Sequence, residues 1–507
     1  MFARITKQPL FVLLMGLASL LMLLPSLHAL SLGNFRVSRP FFYSAVAFFF
    51  VTAMIAIAMD GRGFGRHQAR NQLLTLVATF AALPLMLAFP FYEAHGRISF
   101  LDAWIEMVSC LTTTGATLFD NPWRLNVSLH LWRSIVGWMG GYFMWVAAFA
   151  ILAPMNLGGF EVRSSGVAGT GRNLSQISRI ADPSERFTRF ALKLGPIYLG
   201  ITLALWVGLL IAGDRSFVAL THAMATVSTS GISPIGGLYW SRGGFIGEVF
   251  IFVVFAFAIS RLTFSRGLIG EERSPLLRDP EVKMAVALIS MVAGGLFLRH
   301  FIGVFEGRGE ESSFIAAIHA LWGGIFTSLS FLTTTGFESR YWTETSSWSH
   351  LNTPGLALIG LALIGGGIAT TAGGVKLLRV YALFRHSERE LEMLVHPSSL
   401  GGAGSEARQI RRSGAFVAWI FFMIFALSII GVVTALALTG VQFENSLVIA
   451  VSALSTTGPI LDIAAEDPIS LSGLRDISKF IVASAMVLGR LEALAIIALL
   501  NPDFWRN

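Results

Sequence analysis

Long apolar stretches broken by short polar ones run the length of this chain. Ten of them approach or exceed the ~20 residues that a helix needs to cross the hydrocarbon core of a bilayer. They lie at about 9–31, 40–59, 71–92, 130–153, 187–212, 244–263, 282–302, 354–381, 414–440 and 477–500. Four shorter apolar pieces fall between them, at 100–111, 216–227, 314–332 and 446–454. Their length suits re-entrant helices that enter the membrane without spanning it. Each piece runs into hydroxyl residues and a glycine: "LTTTGAT" (111–117), "VSTSGIS" (227–233), "LTTTGFE" (332–338) and "LSTTGPI" (454–460). The glycines, Gly115, Gly231, Gly336 and Gly458, are 116, 105 and 122 residues apart. An internal repeat of this kind takes precedence over any other pattern in a chain.

Composition agrees with the apolar pattern. The 507 residues are 54% hydrophobic and 13% charged, against about 25% charged in a soluble domain. Phe outnumbers Tyr 41 to 7, so the aromatic content is mostly apolar. This describes an all-α polytopic membrane protein. Ten spans place both termini on one side. About twice as many Lys and Arg fall on that side as on the other, which makes it the cytoplasmic side. The net charge of +7 is then explained by loop charges facing anionic lipid, and nucleic acid is not needed as a partner. The first apolar run, preceded by Arg4 and Lys7 and containing "SLHA", has features of a secretory signal. Its length and the spans that follow it favour an uncleaved first helix. Cys110 is the sole cysteine, which excludes an internal disulfide and any cysteine-based metal site.

Non-helical backbone at membrane depth is tolerated where it is buried in protein or lines a watery cavity. One "TTTG" segment is an ordinary helix end. Four at a near-constant period, each after a half-length helix, point to fourfold pseudosymmetry. Each repeat reads helix, pore helix, loop, helix, around one central pore. Ser and Thr suit an extended loop, and Gly admits φ > 0 and frees its carbonyl to face the axis. Converging carbonyl rings replace the hydration shell of a monovalent cation. Pore helices aimed at the axis by their C-terminal ends add about half a negative charge each. The candidate ion-binding residues are therefore Thr112, Thr113, Thr114 and Gly115; Ser228, Thr229, Ser230, Gly231 and Ile232; Thr333, Thr334, Thr335 and Gly336; and Ser455, Thr456, Thr457 and Gly458. A monovalent cation is the transported ligand expected at these positions, with no covalent cofactor.

These motifs, with "WRSIVGWMGGYFMWVAAFAILAP" (132–154), "GGGIATTAGGVKLLRV" (365–380) and "LGRLEALAIIALLNPDFW" (488–505), resemble the Trk/Ktr/HKT superfamily of potassium transporters. Within it they resemble the bacterial TrkH type, over almost the whole chain. The resemblance implies one potassium pathway per chain, a homodimer in the inner membrane, and gating by a separate cytoplasmic nucleotide-binding subunit of the TrkA kind. It makes the first two helices (1–69) an extra N-terminal pair, followed by repeats at 70–156, 157–265, 266–385 and 386–507. In the HKT group, serine in place of a filter glycine goes with sodium transport. Here the second and fourth motifs, "STSG" and "STTG", depart from the family pattern, Ser230 standing where glycine is frequent, but all four glycines are kept, which implies potassium.

The glycine-rich stretch 363–376 interrupts the predicted span 354–381. Each glycine weakens a helix by about 1 kcal/mol relative to Ala. The segment reads either as a close-packed interface or as a loop that blocks the pore beneath the third filter. The resemblance implies the second, an intramembrane gate with Gly365, Gly366, Gly367, Gly373, Gly374 and Lys376. Lys376 is expected to pair with a carboxylate or to sit at the lipid interface. Arg490 lies inside the last span, where a charge is expensive and faces a cavity or a partner. It is read as a pore charge just below the filter, or as a structural arginine bonded to pore-helix carbonyls or the gate loop. Glu338, Asp462, Glu466 and Asp467 follow the third and fourth filters and can concentrate cations at the mouth.

The glycine runs "GRGFGR" (61–66) and "GVAGTGRN" (166–173) follow no strand and are poor phosphate loops. No nucleotide or metalloprotease motif is present, so nucleotide sensing belongs on another chain. The basic loops 156–186 and 376–412 are its expected docking surface. Two other function classes compete. An intramembrane enzyme acting on lipid-linked substrates needs clustered ionisable residues at membrane depth, and the spans offer few. A rocking secondary carrier predicts two inverted halves; four like-oriented repeats predict loops that meet on one axis.

Overall fold

The computed structural model describes residues 8–59, 68–155, 157–162, 183–260, 279–305, 314–351, 353–396, 412–465 and 467–491. These residues are helical or irregular, and no strand occurs among them. The N-terminal helices are α1 (Leu10–Leu21), α2 (Leu23–Ser31) and α3 (Phe35–Met59). The predicted first span is thus two pieces that meet at Met22, three residues before Pro25. Likewise the third span is α4 (Gln68–Ala81) and α5 (Leu83–His95), broken beside Pro84. Proline removes a backbone donor and crowds the preceding turn, so a continuous apolar run is not always one rod.

The first repeat continues with α6 (Phe100–Leu111) and α7 (Val127–Ala147). The side chain of Ser99 caps α6 by accepting from the Asp102 N–H, and Asn126 caps α7 in the same way. After them come α8 (Pro183–Ile211), α9 (Ser216–Ser228), α10 (Gly244–Ile259), α11 (Pro280–Phe305), α12 (Phe314–Leu332), α13 (Trp342–Ser349), α14 (Gly355–Ile364), α15 (Leu377–Val395), α16 (Arg412–Leu438), α17 (Phe443–Ser455), α18 (Ile460–Ile463) and α19 (Asp476–Leu491). The predicted span 354–381 is therefore α14, an irregular segment and α15. Helices α13 and α18 were not anticipated. They are short, polar or isolated by proline, and carry no apolar period of their own.

Among the described residues, eight helical segments are long and apolar enough to cross a membrane. One of them is α12, whose 19 residues exceed the half-length expected of a pore helix. Helix α10 has 16 residues, shorter than the predicted 244–263. Helices α6, α9, α12 and α17 share one role. Each leads into a hydroxyl–glycine motif, so all four C-terminal ends approach the same region. They also pack in a cycle: α9 against α7, α12 against α10, α17 against α14, and α6 against α19. Each pore helix is held by the last helix of the preceding repeat, and the fourth repeat closes onto the first. In the most apolar 18-residue stretch of 127–155, 89% of the residues are buried, against 22% in that of 35–59. Repeat 1 thus contributes wall to the centre, and the N-terminal helices lie at the periphery.

Candidate ion pathway

The four pore helices end alike. The middle hydroxyl residue of each motif, Thr113, Thr229, Thr334 or Thr456, has φ of 55°, 52°, 56° or 56°. This left-handed conformation is a genuine outlier for a β-branched residue and costs about 1–2 kcal/mol at each site. It acts as a helix cap. The N–H of the next residue turns back to a carbonyl five positions earlier: Thr114 to Ser109 at 2.9 Å, Ser230 to Ala225 at 2.9 Å, Thr335 to Ser330 at 3.0 Å and Thr457 to Ser452 at 2.9 Å. The expected extended conformation is therefore not what these four threonines adopt. The helix must be reversed sharply for its motif to leave along the common centre, and each motif has its glycine two residues later.

The first and third hydroxyls of each motif bond one another. The distances are 2.8 Å for Thr112–Thr114, 3.0 Å for Ser228–Ser230, 3.2 Å for Thr333–Thr335 and 3.2 Å for Ser455–Thr457. These side chains are engaged with the wall. The middle hydroxyls of Thr113 and Thr456 are buried with no hydrogen-bond partner among the described residues. Buried polar atoms are rarely left so without a ligand or water.

The glycines close the ring. A Cβ on Gly115 would lie 1.8 Å from the Ser230 carbonyl oxygen, and one on Gly231 would lie 2.2 Å from that of Thr335. On Gly336 it would lie 2.9 Å from Pro459 Cγ, and on Gly458 it would lie 2.0 Å from Ala116 N. Each loop leans on the next and the fourth returns to the first, so the four meet about one axis. Gly115, Gly231 and Gly336 have φ of 74°, 63° and 80°. Gly458 is not in that region, which corrects the expectation of four equivalent glycines. Its N–H instead donates to the Thr114 carbonyl at 2.6 Å, and the glycine is needed there for close approach. Ile232 packs against α7, its Cδ1 2.7 Å from where a Cβ on Gly137 would stand.

Buried carboxylates that sequence reading missed stand behind the loops. Glu106 pairs with Arg133 at 2.7 Å. On α10, Glu248 accepts from Trp322 Nε1 at 2.8 Å, Ser339 Oγ at 2.8 Å and the Arg340 N–H at 2.6 Å. Their signal was a carboxylate in an apolar helix, alone in α10 and four residues after Asp102 in α6, which needs a partner at membrane depth.

The segment Gly365–Lys376 is buried throughout. The Gly373 N–H donates to Thr334 Oγ1 at 2.7 Å, and Thr371 Oγ1 donates to the Val227 carbonyl at 3.2 Å. A Cβ on Gly373 would meet Thr456 Oγ1 at 2.2 Å. The segment therefore touches the third and fourth motifs and the end of α9 together. Gly365 and Gly374 have φ of 73° and 76°, and a Cβ on Gly365 would lie 2.1 Å from the Gly373 carbonyl oxygen. Gly366 and Gly367 are packed against α10, where the Gly367 N–H donates to the Ala258 carbonyl at 3.0 Å. The Ile368 N–H donates to Glu281 Oε1 at 2.8 Å. Lys376 is buried and its ammonium donates to the Ala372 carbonyl within the segment; it does not sit at the lipid interface. Arg490, 2% exposed, donates through Nη1 to the Thr371 carbonyl at 2.8 Å. The bond to the loop, one of the two roles considered for it, is present.

On the exit side of the motifs, Ser470 and Ser472 donate to Asp120 at 2.6 and 3.0 Å. Burial, and then the charge of Asp462, push the Glu338 carboxyl up to about 7. Asp462 is itself pushed up to about 6, by burial and then by Asp120. Glu466, the glycine runs 61–66 and 166–173, and much of the basic segments 156–186 and 376–412 lie outside the described residues.

A membrane-embedded bundle whose four like-oriented pore helices deliver re-entrant loops to one axis belongs to the pore-loop class of transport proteins. Comparison with known proteins places it more narrowly. The profile of the family described as "TrkH: Cation transport protein" matches residues 39–503. The chain belongs to the TrkH family of cation transport proteins, which are transporters and not enzymes. It is 29% identical over 509 residues to the Trk system potassium uptake protein TrkH of Vibrio parahaemolyticus (strain RIMD 2210633), covering 98% of each chain. It is 28% identical over 503 residues to the Trk system potassium uptake protein TrkH of Salmonella typhimurium (strain LT2), again covering 98% of each. The crystal structure of the potassium transporter TrkH from Vibrio parahaemolyticus superposes with a TM-score of 0.78 at 25% identity, over the whole of both chains.

Proposed function

We propose that this protein carries potassium into a bacterial cell across the inner membrane, with both termini cytoplasmic. The observation that carries the reading is the closed ring of four glycine contacts, from Gly115 to Ser230, Gly231 to Thr335, Gly336 to Pro459 and Gly458 back to Ala116. A ring of this tightness sets backbone carbonyls at fixed spacing, which is what exchanging an ion's water for protein oxygen requires. The hydroxyls of Thr113 and Thr456 supply further oxygen at its inner end. The membrane potential, worth about 2.3 kcal/mol per charge per 100 mV, drives the ion inward.

In this reading the segment 365–376 is the gate, held shut under the filter by Thr334, the end of α9 and Arg490. The repeats are bounded at 70–156, 157–265, 266–385 and 386–507, with 1–69 as the added N-terminal pair. The working unit is a homodimer in contact with membrane lipid, and a TrkA-like cytoplasmic nucleotide-binding subunit moves the gate. Potassium is the cargo, and no covalent cofactor takes part. Tracer flux into proteoliposomes tests the central statement. Rb+ entry that K+ competes away, and Na+ does not, is the expected result; equal competition by both ions removes it.

A further inference from the structure

The pore helices share a position that the motif pattern passes over. Nine residues before each motif glycine stand Glu106, His222, Thr327 and Ile449. The first three reach the strand that leaves their own motif, two or three residues past its glycine. Glu106 accepts from Thr117 Oγ1 at 3.1 Å and from the Leu118 N–H at 3.0 Å. His222 Nε2 lies 2.9 Å from Ser233 Oγ. Thr327 Oγ1 accepts from the Ser339 N–H at 3.2 Å. All three are buried, and each contact has a charged residue behind it: Arg133 on Glu106 at 2.7 Å, Asp214 beside His222 at 3.9 Å, and Glu248 on Ser339 at 2.8 Å.

The fourth repeat breaks the pattern twice. Ile449 offers no polar atom to its exit strand. Its motif is also the one whose glycine leaves the left-handed region and whose N–H crosses to Thr114. Where the other three loops have a bond from their own pore helix, the fourth has the Gly458 bond to the neighbouring loop, with Pro459 directly after it.

We infer that Glu106, His222 and Thr327 are positioning residues for ion selection, which hold three filter loops from behind while the fourth is held from the side by the first. A carboxylate, an imidazole and a hydroxyl occupy one geometric place, so the function is a directed hydrogen bond and not a charge. A loop fixed both at its helix cap and at its exit strand cannot contract around a smaller ion. Removing the second fixed point therefore relaxes discrimination between ions before it stops conduction. The inference rests on the potassium-filter reading above.

Rb+ and Na+ tracer flux through the full chain in proteoliposomes tests it. Thr327→Val keeps the side-chain shape and removes the acceptor, and is expected to lower the Rb+/Na+ ratio by about fivefold, the worth of one hydrogen bond. Thr327→Ser should restore the wild-type ratio, and Ile449→Val should leave it unmoved. If Thr327→Val is not recovered folded, the pair His222→Gln and His222→Leu decides, with only the leucine variant losing discrimination. Both fluxes falling together at a constant ratio, or Ile449→Val shifting the ratio as much as Thr327→Val, overturns the inference. A wild type without K+-competed Rb+ entry removes the filter reading itself, which is a different result from a selective wild type with unmoved variants.

Discussion

Arg490 Nη1 meets the carbonyl oxygen of Thr371 at 2.8 Å, joining the last described helix to the middle of the buried segment Gly365–Lys376. The same threonine bonds the Val227 carbonyl through its hydroxyl, so one residue links α19, the segment 365–376 and α9. Replacing Arg490 by Ala removes a charge-assisted bond and a fixed positive charge next to the path. Potassium flux should rise about tenfold, the loss of a charged hydrogen bond, with Rb+/Na+ preference nearly unchanged. Flux that falls while expression and folding are normal would show that the arginine supports the pore.

Gly336→Ser should lose ion preference. The residue sits at φ 80°, and a Cβ there would be 2.9 Å from Pro459 Cγ. Strain of about 1–3 kcal/mol in the backbone is expected to move the carbonyls of the third motif. The K+ over Na+ ratio should fall by about tenfold or more, one decade per 1.4 kcal/mol. An unchanged ratio in a folded variant would falsify the ring at that position.

Deleting residues within 365–374 should raise basal flux. The segment holds itself by the Gly373 bond to Thr334 and the Ile368 bond to Glu281, and shortening it withdraws both from below the filter. Conductance in planar bilayers is the measurement. Wild-type conductance in an inserted, folded deletion would identify the segment as packing material.

The mouth should respond to pH. Glu338 has its carboxyl pushed up to about 7 by burial and by Asp462. A raised carboxyl is neutral below that value and anionic above it, and the anion is the form that draws cations. Uptake from dilute K+ should therefore increase as the outside pH rises from about 6 to about 8, through the range where a perturbed carboxylate titrates. Glu338→Gln should flatten this rise and lower uptake at the alkaline end. A slope that survives the substitution assigns the titration elsewhere.

Much of this architecture was legible in the amino-acid pattern because it is repeated. One glycine after one apolar helix says little, but four at a near-constant period place a ring before any coordinates exist. What stayed hidden were conformations that run against residue preference. Nothing in the sequence announces that Thr113, Thr229, Thr334 and Thr456 turn left-handed, since threonine resists it and the surrounding bonds impose it. Gly458 looked equivalent to its three counterparts and is not: Pro459 follows it, and its N–H crosses to the Thr114 carbonyl. The shared place of Glu106, His222 and Thr327 was invisible for the opposite reason: three unlike side chains make one kind of contact. Helix breaks at Met22 and Ala82 followed nearby prolines that a hydropathy reading averages away.

The cyclic packing has a consequence for synthesis. Lys479 on α19 bonds Asp102 on α6 at 2.7 Å, across 377 residues of chain. The pore helix made first thus waits for the helix made near the end before its outer side is covered. Until the fourth repeat is made, Asp102 lacks Lys479 and the ring of loop contacts lacks its last member. Contacts this distant in sequence form slowly. The four loops close on one another only once the last repeat is in place.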